Sequence, residues 1–122
     1  MVRLDHMQLL VTDWRRSRDW WRDNLGFEVE FEIPERSMVA MRDSADLTVF
    51  LEEGKPFSNA GFQCAIQVDD VEAKYAELRA KGIVFVHEPR KEFWGYGAEL
   101  HDPDGYVLQL WDPVSMKAKG GG

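Results

Sequence analysis

The chain has 122 residues, 44% of them hydrophobic and 30% charged, with a net charge of −7 and one cysteine, Cys64. That composition suits a folded domain and excludes an internal disulfide or a cysteine-rich metal cluster. It speaks against nucleic acid as a partner, which calls for a basic face. No apolar run reaches the ~20 residues that cross a bilayer, and the start shows no secretory-signal pattern, so the expected location is the cytoplasm.

Residues 3–11 alternate, with Met7, Leu9 and Val11 on one face and His6, Gln8 and Leu10 on the other, which predicts a strand. Thr12-Asp13 offers an N-cap. Trp14, Ser17, Trp20 or Trp21, and Leu25 follow at helical spacing, and Gly26 closes the helix. Phe27, Val29, Phe31 and Ile33 alternate up to Pro34, a second strand. Strands near 37–42 and 47–52 flank the turn-prone Asp43-Ser44-Ala45-Asp46.

Residues 54–60 read as a linker. Beyond it the pattern starts again. Cys64, Ile66 and Val68 face one way and Gln63, Ala65 and Gln67 the other. Asp69 with Glu72 predicts a capping box. Val71, Tyr75 and Leu78 form an apolar stripe, and Gly82 ends that helix. Strands are expected near 83–87, 97–101 and 106–111, with Asp102-Pro103-Asp104-Gly105 as a strong turn. His87 precedes Glu88-Pro89 in an expected loop and receives no role.

The two halves match each other. Asp5–Asp13 parallels Phe62–Asp70 at an offset of 57 residues, and Met41–Leu51 parallels Leu100–Leu110 at 59. An internal repeat dictates the fold. Each copy is strand–helix–strand–strand–strand, so the expected class is α+β, two βαβββ modules forming a cup-shaped, barrel-like mixed sheet. The modules are expected at residues 1–53 and 61–113, with 114–122 as a flexible tail.

The motifs Leu4-Asp5-His6, Val11-Thr12-Asp13, Trp20–Phe27, Val68-Asp69-Asp70 and Asp102–Tyr106 resemble the vicinal oxygen chelate superfamily. Glyoxalase I, bleomycin-resistance proteins and extradiol dioxygenases belong to it. The resemblance spans about residues 3–112 and implies the glyoxalase/bleomycin-resistance fold. In metal-using members, the first and last strand of each copy supply the ligands. Those positions map here to His6, Phe50, Gln63 and Gln109.

Phe50 cannot bind a metal, and Gln109 stands where an acidic residue is usual. A divalent ion wants a carboxylate or several imidazoles. No metal cofactor is therefore favoured. A shifted set remains as the alternative, drawn from His6, Glu52, Gln63, Glu99 and Gln109, with His101 beside Glu99 on one strand face. It would serve a glyoxalase-like lyase or isomerase, or a dioxygenase. As an enzyme without metal, the chain would use His6 as general base.

The run Lys91–Gly97 resembles the Trp-Gly loop of bleomycin-resistance proteins, which sequester a cationic aromatic drug. The favoured function is accordingly the sequestering of a small aromatic molecule, with cationic character suited to the acidic chain. Phe50, Trp94, Tyr96 and Trp111 would stack on it. His6, Gln8, Gln63, Gln67 and Gln109 would orient it, and Glu52 and Glu99 would meet a cation. Each has a plainer reading: Glu52 and Glu99 as solvated rim carboxylates, Trp94 as a loop anchor, Phe50 and Trp111 as filling. Those readings together describe a scaffold that binds no ligand. The family covers its open sheets by pairing, so the expected partner is a second copy, in a homodimer.

Overall fold

The computed structural model describes residues 1–56 and 62–121. The elements run β1 (His6–Val11), α1 (Trp14–Leu25), β2 (Glu28–Ile33), a 3-10 turn (Pro34–Arg36), β3 (Met38–Arg42), β4 (Thr48–Glu53), β5 (Gln63–Gln67), α2 (Val71–Ala80), β6 (Phe85–Glu92), β7 (Gly95–His101), β8 (Val107–Trp111) and α3 (Pro113–Lys119). This is the α+β, twice-βαβββ arrangement that the repeat predicts. Two compact units carry one copy each, and Asp102–Asp104 belong to the first. The predicted linker at 54–60 falls mostly outside the described residues. No helix of the described residues is long and apolar enough to cross a membrane.

Each unit holds one four-stranded sheet, ordered β1-β4-β3-β2 in the first and β5-β8-β7-β6 in the second. The first and last strands of each copy pair in parallel, and the other pairs are antiparallel. Strand alternation then gives each sheet a helix-covered face and an open face. In the first unit Leu9, Val11, Val39, Met41, Val49 and Leu51 are buried on the covered face, with Trp14, Ser17, Trp21 and Asn24 of α1. In the second, Ala98, Leu100, Leu108 and Leu110 are buried with Val71 and Leu78 of α2. Cys64 shares that covered side with Ile66, as the alternation predicts.

The helix ends repeat as well. The Asp13 side chain accepts from the N–H groups of Arg15 and Arg16, and the Asp70 side chain accepts from Ala73. The cap of α2 is thus Asp70, one residue beyond the predicted Asp69, because it is Asp70 that turns to extended φ/ψ just before the first helical residue. A carboxylate at the end of each copy's last strand also reaches its helix. Glu53 Oε2 accepts from Trp14 N at 3.2 Å, and Asp112 Oδ2 accepts from Val71 N at 2.7 Å. The β3–β4 and β7–β8 turns match too. Asp43 and Asp102 each accept from the N–H two residues on, and Asp46 and Gly105 take positive φ, 67° and 87°. The second turn is tied to the start of α1: Asp104 Oδ1 accepts from Thr12 N at 3.0 Å and Thr12 Oγ1 at 2.7 Å.

Three expectations are corrected. Residues 114–119, expected in a flexible tail, belong to the helix α3, which starts at Pro113 and is capped by Asp112 through Ser115 N at 2.7 Å. The Lys91–Gly97 loop is a β6–β7 hairpin turning at Phe93-Trp94, so His87 lies in a strand. In β2, a bulge between Val29 and Phe31 breaks the predicted alternation. Val29 pairs with Met41 of the covered face, whereas Phe31 pairs with Ala40 of the open one.

Candidate functional site

The open face of the first sheet is built in cross-strand rows. One row reads Gln8, Phe50, Ala40, Phe31, and the next reads Leu10, Glu52, Met38, Ile33. Ala40 is the smallest residue in its row, and its size lets the Phe50 and Phe31 rings meet edge to face, with centroids 5.9 Å apart. His6 closes the floor from the other side, its ring centroid 4.6 Å from that of Phe50. The three rings form a continuous aromatic strip. Phe31 keeps 43% of its surface exposed on it.

Polar groups border the strip. Glu52 accepts from Gln8 Nε2 at 2.6 Å and lies 3.7 Å from the Arg36 guanidinium. Glu30 accepts from Thr48 Oγ1 at 2.7 Å. His6 Nδ1 lies 2.9 Å from Asp5 Oδ2. Because a carboxylate only accepts, that contact places a proton on Nδ1 and leaves Nε2 for another partner. The same hydrogen bond from His6 holds the Asp5 carboxyl below the usual carboxylate range.

The open face of the second sheet is more polar. Its rows are Gln67 with Trp111, then Ala65, Gln109, Glu99 and His87, then Gln63, Val107 and His101. Trp94 folds back from the hairpin turn onto Gly97, where an added Cβ would lie 2.7 Å from its ring. His87 is nearly buried. Its Nδ1 is 2.7 Å from the Glu88 carbonyl, and its Nε2 is 3.7 Å from Glu92.

Within each unit the predicted residues group as follows. His6, Gln8, Phe50 and Glu52 come together on the first open face; Gln63, Gln67, Glu99, Gln109 and Trp111 share the second, with Trp94 over its Gly97. Tyr96 does not join them. Alternation turns it to the covered side, where its hydroxyl donates to Glu72 of α2. That bond raises the Tyr96 pKa to about 12. Sequence reading missed Phe31, Glu30 and His87. A bulge leaves no mark on a period-2 pattern, and Glu88-Pro89 masked the strand around His87.

The donor chemistry does not fit a metal. Phe50 offers no lone pair, and Gln63 and Gln109 are neutral. In the shifted set, Glu52 stands four residues along β4 from Thr48, the register partner of His6, about 13 Å away. Glu99 and His101 are only a pair. Among the described residues no three His, Cys, Asp or Glu side chains gather in a metal-holding group.

The sequence description of the Glyoxalase/Bleomycin resistance protein/Dioxygenase superfamily matches residues 3–110. The chain belongs to this superfamily. A curated relative, the uncharacterized protein YraH of Bacillus subtilis (strain 168), is 25% identical over 90% of this chain and 98% of its own. TnmS3, an antibiotic binding protein from Streptomyces sp. CB03234, superposes with a TM-score of 0.78 at 24% identity, covering 93% of this chain and 97% of that one. A lactoylglutathione lyase from Agrobacterium tumefaciens superposes with a TM-score of 0.73 at 16% identity, covering 93% and 95%. A binder and a lyase thus share this superfamily member's fold, and at such identities the likeness concerns the fold alone.

Proposed function

We propose that the protein is a small-molecule binder that holds a planar aromatic ligand on the open face of its first sheet without a metal. The observation that carries this reading is the His6–Phe50–Phe31 strip, partly exposed and bordered by Glu30 and Glu52. Rings stack on rings, and the two carboxylates favour a ligand with a cationic group. Phe50 occupies a position where metal-using relatives of the family carry a ligand, so the residue that removes metal chemistry is also the centre of the stacking surface. His6 Nε2 then orients the ligand by a hydrogen bond. Gln67, Gln109, Trp94 and Trp111 offer a second surface of the same kind.

The test is a fluorescence titration with planar aromatic cations such as ethidium, in the presence of chelator. Binding that Phe50→Ala weakens more than His6→Ala supports the reading. If His6→Ala instead abolished turnover of a substrate, the chain would be an enzyme with His6 as base. We also propose that the protein pairs with itself. The edge strands β2 and β6 expose Val29 and Val86, with Val84 just before β6, and a second copy would cover them. Light scattering that reports one copy per particle would contradict this.

A further inference from the structure

The C-terminal helix α3 is fastened to the hairpin that carries Trp94. Met116 is the fastening. Its Sδ accepts the Tyr96 N–H at 3.4 Å. Two glycines make the slot for its thioether. An added Cβ at Gly95 would lie 2.1 Å from Sδ, and one at Gly120 would lie 2.7 Å from it. Gly95 also holds φ at 140°, a conformation that side chains other than glycine rarely adopt. Around this contact, Lys119 Nζ lies 5.0 Å from the Tyr96 ring centroid and 3.7 Å from Glu72, and Lys91 Nζ donates to the Gly121 carbonyl at 2.8 Å. Trp94 is the residue immediately before Gly95, so whatever holds Gly95 and Tyr96 also sets where the Trp94 ring falls.

We infer that α3 is an oxidation-sensitive latch, with Met116 positioning the β6–β7 hairpin and its Trp94. Met116 is half-buried rather than sealed in a core, and the latch requires that a small peroxide reach its sulfur. In the step, a sulfur lone pair attacks one peroxide oxygen, the O–O bond breaks, and the products are the sulfoxide and water. The added oxygen has no place in a slot where a Cβ already clashes. The thioether leaves, the Tyr96 N–H loses its acceptor, and α3 lifts from the hairpin. The link to ligand binding rests on the role proposed for Trp94 above; the latch itself does not.

The experiment is therefore made on ligand-free protein. Wild type and Met116→Leu are treated with hydrogen peroxide, oxidation is mapped by mass spectrometry, and amide exchange is followed at Tyr96. Met1, which is fully exposed, reports that oxidant is active. Exchange at Tyr96 should speed up about tenfold in oxidised wild type, as expected for loss of one net hydrogen bond. Met116→Leu fills the slot but cannot form the sulfoxide, so peroxide should leave its exchange rates unchanged. Complete oxidation of Met116 with no change at Tyr96, an equal change in Met116→Leu, or a Met116 that stays reduced while Met1 oxidises would each overturn the inference. Ligand affinity is then compared before and after oxidation. A latch that opens without altering affinity would count against the role of Trp94 and leave the latch standing.

Discussion

Phe50 concentrates the chemistry of the first sheet in one side chain. It touches His6 on one side and Phe31 on the other. Truncation to Ala removes both ring contacts and the centre of the stacking surface. Affinity for a planar cation should fall about tenfold or more, while His6→Ala should cost less, because Phe50 and Phe31 still face each other. A calorimetric titration of the two variants checks the order. On the covered side of the second sheet, Tyr96 gives a prediction about pH. Its pKa is raised to about 12 by its hydrogen bond to Glu72. The sign follows: below the ordinary value of 10.0 the phenol is protonated in both folded and unfolded chains, and the contribution is fully present. Between there and about 12 only the unfolded chain gives up its proton, so stability falls as pH rises through that window. Glu72→Ala should bring the Tyr96 titration back toward 10.0, read by ultraviolet absorbance.

Among the elements, the two helices are held by strand-end carboxylates, and Asp112 bears more of this than Glu53. It is 2% exposed, accepts from Val71 N at the start of α2, and caps α3 through Ser115. Burial pushes its pKa up, but the N–H donors of Ser115, Val71 and Val114 pull harder, and the net shift is downward. Its contribution is thus present above the ordinary 3.8 and is lost as pH falls through the folded value below it. Asp112→Ala strands the Val71 and Ser115 N–H donors among others and should cost about 3 kcal/mol in a denaturant melt. Asp70→Ala removes a single exposed cap bond and should cost about 1 kcal/mol. An equal effect of the two changes would mean that α3 contributes nothing to the second unit.

For the molecule as a whole, the repeat made most of the architecture legible. The offset matching Asp13 to Asp70 and the one matching Asp46 to Gly105 place the helices and turns from sequence alone. Alternation in 6–11 and 63–67 put His6, Gln8, Gln63 and Gln67 on the open faces, because those strands are regular. It failed wherever the ladder is interrupted: at the Val29/Phe31 bulge, which hid Phe31, and along β6, whose register shifts on both sides of His87. It failed also for Tyr96, where a loop reading concealed a strand whose parity faces α2. The helix α3 was illegible because its short run, Pro113–Lys119, depends on Asp112 and on the slot between Gly95 and Gly120 rather than on an apolar stripe of its own.

The central claim is binding at an aromatic strip that needs no metal. The most direct test is one titration of wild type and Phe50→Ala with ethidium, each with chelator and again after loading with zinc, nickel or iron(II). The account predicts saturable binding by wild type that chelator leaves unchanged, that metal does not strengthen, and that Phe50→Ala weakens about tenfold or more. Binding that appears only after metal loading, or that is indifferent to Phe50, would contradict it.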